Sequence, residues 1–196
     1  MPRINSKKFY ASSIKTYGTT PKGLNWNSLE SQNIRFDVIL DMLPNDLSQL
    51  SIADAGCGFG DMYLYMLKKN KRVKKYTGID SLRQMCKIAA RKTGCEIIQA
   101  DICIDILPDA DFYICSGAMN ILEEFETYQF ILNCYSSCKK GFIFNILHGN
   151  KKSDTFNYFC TKQLEEIAKE LKVKKVETLQ GYLESDITVA FLKESK

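Results

Sequence analysis

The sequence holds a single histidine, so a zinc cluster has few candidate ligands. Eight cysteines stand at 57, 86, 95, 103, 115, 134, 138 and 160, yet no two form a Cys-x-x-Cys pair. Several fall inside expected strands or helices, and reduced, mostly buried thiols in a cytoplasmic protein are the expectation. No apolar run reaches the roughly 20 residues of a membrane span. The opening Met1-Pro-Arg-Ile-Asn-Ser-Lys-Lys8 lacks the apolar stretch of a signal peptide. Repeats and low-complexity tracts are absent too. Neither metal nor membrane is therefore expected, and the location expected is cytoplasmic.

What is present is enough for one core. With 196 residues and 45% hydrophobic content, a single domain over 1–196 is expected, with a helical extension at 1–44 and a core at 45–196. The net charge is +4, and its densest piece is Lys68-Lys-Asn-Lys-Arg-Val-Lys-Lys75. That run lies between a helix and the start of a strand, at the edge opposite a ligand crevice, so it reads as a solvated loop rather than a nucleic-acid patch.

The chain is organised around Ser51-Ile-Ala-Asp-Ala-Gly-Cys-Gly-Phe-Gly-Asp61. Ile52 and Ala53 lead into three glycines at alternate positions, and an apolar helical segment, Met62 to Leu67, follows. This is a buried strand, a tight turn and a helix N-terminus whose free N–H groups face a ligand. The dinucleotide fingerprint fails, because its third small position is Asp61. No P-loop lysine is present either. Asp54 and Asp61 place two anions at the turn, which repel a diphosphate and suit a nucleoside bearing an ammonium or sulfonium.

Asp54-Ala-Gly-Cys-Gly-Phe-Gly60 resembles the first motif of class I S-adenosylmethionine-dependent methyltransferases of the small-molecule type. Three further landmarks follow in order. Tyr76-Thr-Gly-Ile-Asp80 resembles the end of a second strand with an acidic residue for the ribose, and Asp80 lies 20 residues after Gly60. Ile97-Ile-Gln-Ala-Asp-Ile102 resembles the motif that meets adenine, and Asp111-Phe-Tyr-Ile-Cys-Ser-Gly-Ala-Met-Asn120 a fourth strand with its loop. The resemblance implies S-adenosyl-L-methionine as cofactor and S-adenosyl-L-homocysteine as product. By it, Asp54, Gly56, Cys57 and Gly58 hold the methionine part, Asp80 with Ser81 the ribose, and Asp101 with Ile102 the adenine, beside Ser116. The alternative for Asp101 is a capping residue on its own loop.

Strands alternating with helices predict a mostly parallel sheet, covered by helices on both faces. Strands are expected at 52–54, 76–79, 96–99, 112–115, 142–147 after a break at Gly141, 174–179 and 187–192. Helices are expected at 62–69, at 82–92 with Ser81 as cap, at 125–137 and at 160–171. The short link Gly181–Asp186 forces an antiparallel last strand. The fold class is thus α/β: a Rossmann-like seven-stranded sheet with an N-terminal helical extension as lid. In the extension, Tyr10, Ile14 and Tyr17 share a helical face, and Asn25 to Ser28 offers the next helix start, capped by Asn27 or Ser28. Trp26, Gln32 and Arg35 fall where related small-molecule methyltransferases carry similar residues. Tyr17, Trp26 and Arg35 are therefore expected to close the pocket and touch the cofactor's carboxylate or the substrate. The alternative is Trp26 as a core anchor and Arg35 as a surface ion pair.

Methyl transfer from a sulfonium needs positioning and water exclusion more than acid–base help. If a base is used, His148 is the side chain suited to it, with Tyr182 beside it in the expected catalytic set. Asn120 and Asn145, with Asp186, are further candidates for orienting an acceptor. No Asp/Asn-Pro-Pro-Tyr/Phe follows the fourth strand, where Ser116-Gly-Ala-Met119 stands, and no Pro-Cys or Thr-Cys pair lies near the fourth or fifth. These absences argue against nucleobase amines, glutamine amides and cytosine C5 as acceptors. Methyl transfer to an oxygen or nitrogen of a small molecule is the expectation. The alternatives are a methyltransferase for RNA or protein and a non-catalytic cofactor-binding protein. Oligomeric state is not legible in the sequence.

Overall fold

The computed structural model describes residues 5–24 and 26–194. Seven strands, β1 (Ser51–Ala55), β2 (Lys75–Asp80), β3 (Glu96–Gln99), β4 (Ala110–Ser116), β5 (Cys138–Leu147), β6 (Lys175–Gln180) and β7 (Asp186–Leu192), build one sheet. Its order is β3-β2-β1-β4-β5-β7-β6. Strands β1 to β5 pair in parallel, and β7 runs antiparallel to both β5 and β6. The expected α/β sheet with an antiparallel last strand is the observed one.

Among the described residues six α-helices accompany it: α1 (Ser6–Tyr17), α2 (Leu29–Asp41), α3 (Asp61–Lys68), α4 (Arg83–Thr93), α5 (Glu124–Ser137) and α6 (Thr161–Glu170). Alternation along the strands sorts them into two layers. Ile52, Phe112, Ile114 and Ile143 pack with α2 and α3 on one face. Tyr113, Cys115, Phe142 and Phe144 pack with α5 and α6 on the other. Phe142 and Phe144 stack with ring centroids 4.8 Å apart, and burying each such ring contributes about 2 kcal/mol. A smaller cluster seats Tyr10 and Ile14 of α1, with Leu24, on Phe59, Met85 and Ile88.

Local chemistry explains most boundaries. Ser28 caps α2: its hydroxyl accepts the Ser31 N–H at 3.0 Å, and Ser31 Oγ accepts the Ser28 N–H at 3.2 Å. Asn25, in the expected helix start, lies outside the described residues. The cap of α4 is not Ser81. The N-cap is Leu82, with no side-chain cap bond; the Asp80 carboxylate accepts the Leu82 N–H at 2.8 Å just before the helix. Gly141 is likewise no break. The ladder begins at Cys138, directly after α5, and a register shift between Ala110 and Phe112 absorbs the join. Glycine stands at 141 because a Cβ there would meet Leu192 Cδ2 at 2.7 Å and the Phe191 carbonyl oxygen at 3.1 Å. All eight cysteines are free thiols. No described helix is long and apolar enough to cross a membrane.

Candidate active site

Strand order reverses between β1 and β4, and in such sheets a crevice opens there, beyond the carboxyl ends of the strands. The crevice here has a volume of about 280 Å³. Its first half is the turn after β1. The N–H groups of Gly56 and Cys57 donate to the Ile79 carbonyl at 2.8 and 3.0 Å, which pins the turn to β2. Gly56 has φ of 78°, and a Cβ on it would lie 2.3 Å from the Ala118 Cβ. Only glycine fits where this turn crosses the loop after β4.

Four carboxylates border this half: Asp54, Asp61, Asp80 and Asp101. Asp54 is 3% exposed. Its Oδ2 accepts the Tyr76 hydroxyl at 2.5 Å, and burial pushes its pKa up to about 7. Asp80 accepts N–H groups from Gly58 at 3.0 Å and Leu82 at 2.8 Å, one on each oxygen. Burial raises it to about 6. A carboxylate has roughly four lone-pair sites, so each Asp80 oxygen can still accept a ligand hydroxyl. Asp61, at the start of α3, is neutralised by Lys92. Asp101 Oδ1 accepts the Cys103 N–H at 3.0 Å, so it caps its own loop while bordering the crevice. Ser81 and Ile102 border it as well.

The second half is assembled from distant segments. Ser116 to Leu122 follow β4, Leu147 ends β5, and Trp26, Phe156 and Tyr158 come from segments outside the sheet. Trp26 lies against Gly117, where a Cβ would be 2.7 Å from the indole. The Arg35 guanidinium sits over the same ring, 5.0 Å from its centroid. Segment 156–158 is tied to the β4 loop by the Asn157 N–H, which donates to the Asn120 carbonyl at 2.7 Å.

Of the residues named from the sequence, Asp54, Gly56, Cys57, Gly58, Asp80, Ser81, Asp101, Ile102, Ser116 and Arg35 all border the crevice, as do Trp26, Gln32 and Asn120. Four others do not. Tyr17 is 50% exposed at the end of α1, and Tyr10, two turns earlier, borders the crevice in its place. Burial, with the Asp80 carboxylate second, pushes the Tyr10 phenol far above its usual range. The Asn145 side chain is buried behind the wall, donating to the Arg35 carbonyl at 3.3 Å and accepting from Ser116 Oγ at 3.2 Å. His148 Nε2 lies 3.1 Å from Thr161 Oγ1, turned from the crevice. The Tyr182 hydroxyl pairs with Thr188 at 2.8 Å. Arg35 borders the crevice, but its Nε and Nη2 donate to Asp186 at 2.7 and 2.5 Å and its Nη1 to the Ser31 carbonyl at 3.1 Å. Its charge is thus met by Asp186 in a buried ion pair joining α2 to β7, not held free for a ligand carboxylate. Sequence reasoning missed Phe156 and Tyr158, because 149–159 carries no periodicity. Among the described residues, no group of three or more His, Cys, Asp or Glu could hold a metal ion.

Residues 52–141 match the family model described as a methyltransferase domain. The sheet order and the glycine-turn crevice are those of the class I, S-adenosylmethionine-dependent methyltransferase fold. The chain's solved structural neighbours share that fold at low identity. Magnesium protoporphyrin IX methyltransferase from Synechocystis PCC 6803, with bound SAH, superposes with a TM-score of 0.70 at 13% identity, over 95% of this chain and 94% of that one. The same enzyme with bound SAM gives 0.69 at 13% identity, over 99% and 100%. An S-adenosylmethionine-dependent methyltransferase from Mesorhizobium loti gives 0.63 at 15% identity, over 82% and 98%. No curated protein matches the sequence.

Proposed function

We propose that the chain transfers the methyl group of S-adenosylmethionine to an oxygen or nitrogen of a small-molecule acceptor, by in-line displacement, and releases S-adenosylhomocysteine. The observation that carries this reading is the pair of buried carboxylates, Asp54 and Asp80, which accept from the Tyr76 hydroxyl and from the Gly58 and Leu82 N–H groups but from no cation. Buried charge without a partner is costly, and a ligand bearing an ammonium on one side and a vicinal diol on the other relieves both. The residues fit that group. Asp54 and the turn Gly56–Gly58 would hold the amino-acid end, Asp80 and Ser81 the ribose, and Asp101 with Ile102 the adenine. When bound, the cofactor supplies a methyl group already activated on a sulfonium.

The chain's own contribution is then placement and dryness. Helix α1 and the segment after it act as a lid: Tyr10, Ile14 and Leu24 pack on Phe59 of the glycine turn and on Met85 and Ile88 of α4. Such closure excludes water and raises the effective concentration of the reacting pair. No protein nucleophile is needed, since Cys57 and Cys115 are buried and burial raises both thiols. The test is transfer of a radiolabelled methyl group from S-adenosylmethionine into separated metabolite, RNA and protein fractions of a cell extract. Label in the metabolite fraction alone, lost in Asp80→Ala, is expected. Label in RNA or protein would overturn the small-molecule reading, and none in any fraction would count against transfer itself.

A further inference from the structure

We infer that the β4–β5 half of the crevice takes an uncharged, planar, apolar acceptor whose attacking atom is a nitrogen already carrying a free lone pair. The inference rests on the cofactor reading above. The four carboxylates of the crevice all border its β1–β3 half, and none borders the other. There the walls are Trp26, Ile121, Leu122, Leu147, Phe156 and Tyr158. The nearby cation, Arg35, is already neutralised by Asp186. A charged acceptor would shed its hydration against these walls and meet no opposite charge, so the half selects against either sign.

The walls are held in place before any ligand arrives. Trp26 is clamped between Gly117 and the Arg35 guanidinium. Phe156 and Tyr158 flank Asn157, whose backbone N–H donates to the Asn120 carbonyl and whose Nδ2 donates to the Leu122 carbonyl at 3.2 Å. Fixed aromatic faces favour a flat partner. Polar groups border the crevice as well, Asn120 among them. Asn120 Oδ1 accepts the Leu147 N–H at 3.1 Å, a bond that only the amide oxygen can make, so its NH2 is the donor offered to the acceptor.

The same walls limit the chemistry. Neither a carboxylate nor a histidine stands among them, and His148 faces Thr161. A nucleophile that must lose a proton during attack finds no base there. An aromatic ring nitrogen needs none: its lone pair forms the N–CH3 bond while the C–S bond breaks. The bonding electrons stay on sulfur, and the positive charge passes to the methylated product. That product is a cation in an uncharged half, which favours its departure.

Trp26 is the only tryptophan in the chain, so its fluorescence reports on this half alone. The full chain, with and without S-adenosylhomocysteine, is titrated at mildly alkaline pH with isoquinoline, 2-naphthoate and N-methylisoquinolinium. Isoquinoline is expected to bind about tenfold more tightly than either ion. Phe156→Ala should weaken it about tenfold and leave S-adenosylhomocysteine affinity unchanged. Asn120→Asp keeps the bond to Leu147 and adds a charge, and should reverse the ranking in favour of N-methylisoquinolinium. Equal or tighter binding of an ion by the wild type overturns the inference, as does an unchanged ranking in Asn120→Asp. Failure of S-adenosylhomocysteine to bind would count against the cofactor reading, while the ranking without it still decides the acceptor class.

Discussion

Where the crevice meets β1–β3, its walls carry Asp54, Asp80 and Asp101, each within a residue or two of a strand end, and Asp61 at the start of α3; where it meets β4 and β5, they are aromatic and aliphatic, drawn from residues as far apart as Trp26 and Tyr158. The first half is electrostatic and sequence-local, the second apolar and assembled by tertiary packing. The difference teaches a division of labour: unpaired buried carboxylates define a cationic ligand by charge, and a neutral wall defines its partner by shape. Arg35 belongs to neither. It spans from α2 to Asp186 on β7 and holds Trp26 from behind.

The largest effect should come from breaking that brace. Arg35→Ala leaves Asp186, 3% exposed, buried and unpaired, and is expected to cost about 3–5 kcal/mol in denaturant unfolding. A loss below about 1 kcal/mol would show the ion pair to be incidental. Next, Asp80→Ala should weaken S-adenosylhomocysteine about a hundredfold, or about 2.7 kcal/mol, while isoquinoline binding changes by less than about twofold. Equal losses for both ligands, read by calorimetry, would erase the distinction between the halves.

A smaller effect is pH dependence in the carboxylate half alone. Burial raises Asp54 from 3.8 to about 7, so its ionisation opposes folding. In the ligand-free protein the penalty is absent at acid pH and grows as pH rises toward 7. Asp54→Asn should therefore flatten the fall in Tm between mildly acid and neutral pH. A cationic ligand prefers the ionised form, so S-adenosylmethionine affinity should rise by up to about tenfold per pH unit below 7 and then level off. A pH-independent affinity would remove Asp54 from the ligand's surroundings. The smallest effect is expected of His148→Ala, within about twofold of wild-type transfer, since the ring contacts Thr161 and not the crevice. A hundredfold loss would restore it as a base.

The same comparison explains what could be read from the sequence. The first half was legible because its residues are fixed by local geometry: a strand end, a glycine turn, and a carboxylate at the next strand end. Strand direction followed from alternation and from the short final link. The second half was not. Tyr10 and Tyr17 share a helical face, but 7 residues along a helix is about 10 Å, and only one can reach the turn. Asn120 and Asn145 both sit near strand ends, yet Asn145 lies inside β5 facing α2, and that orientation is set by register. Phe156 and Tyr158 owe their places to the Asn157 bonds with Asn120 and Leu122, which no local pattern announces.

The central claim is that two unpaired buried carboxylates await a cationic nucleoside, and calorimetric titration of the intact chain tests it most directly. S-adenosylmethionine and S-adenosylhomocysteine should bind one per chain at micromolar concentration, and adenosine, which lacks the ammonium, at least about a hundredfold more weakly. Binding of adenosine as tight as that of S-adenosylhomocysteine, or no binding of either cofactor form, would contradict the account.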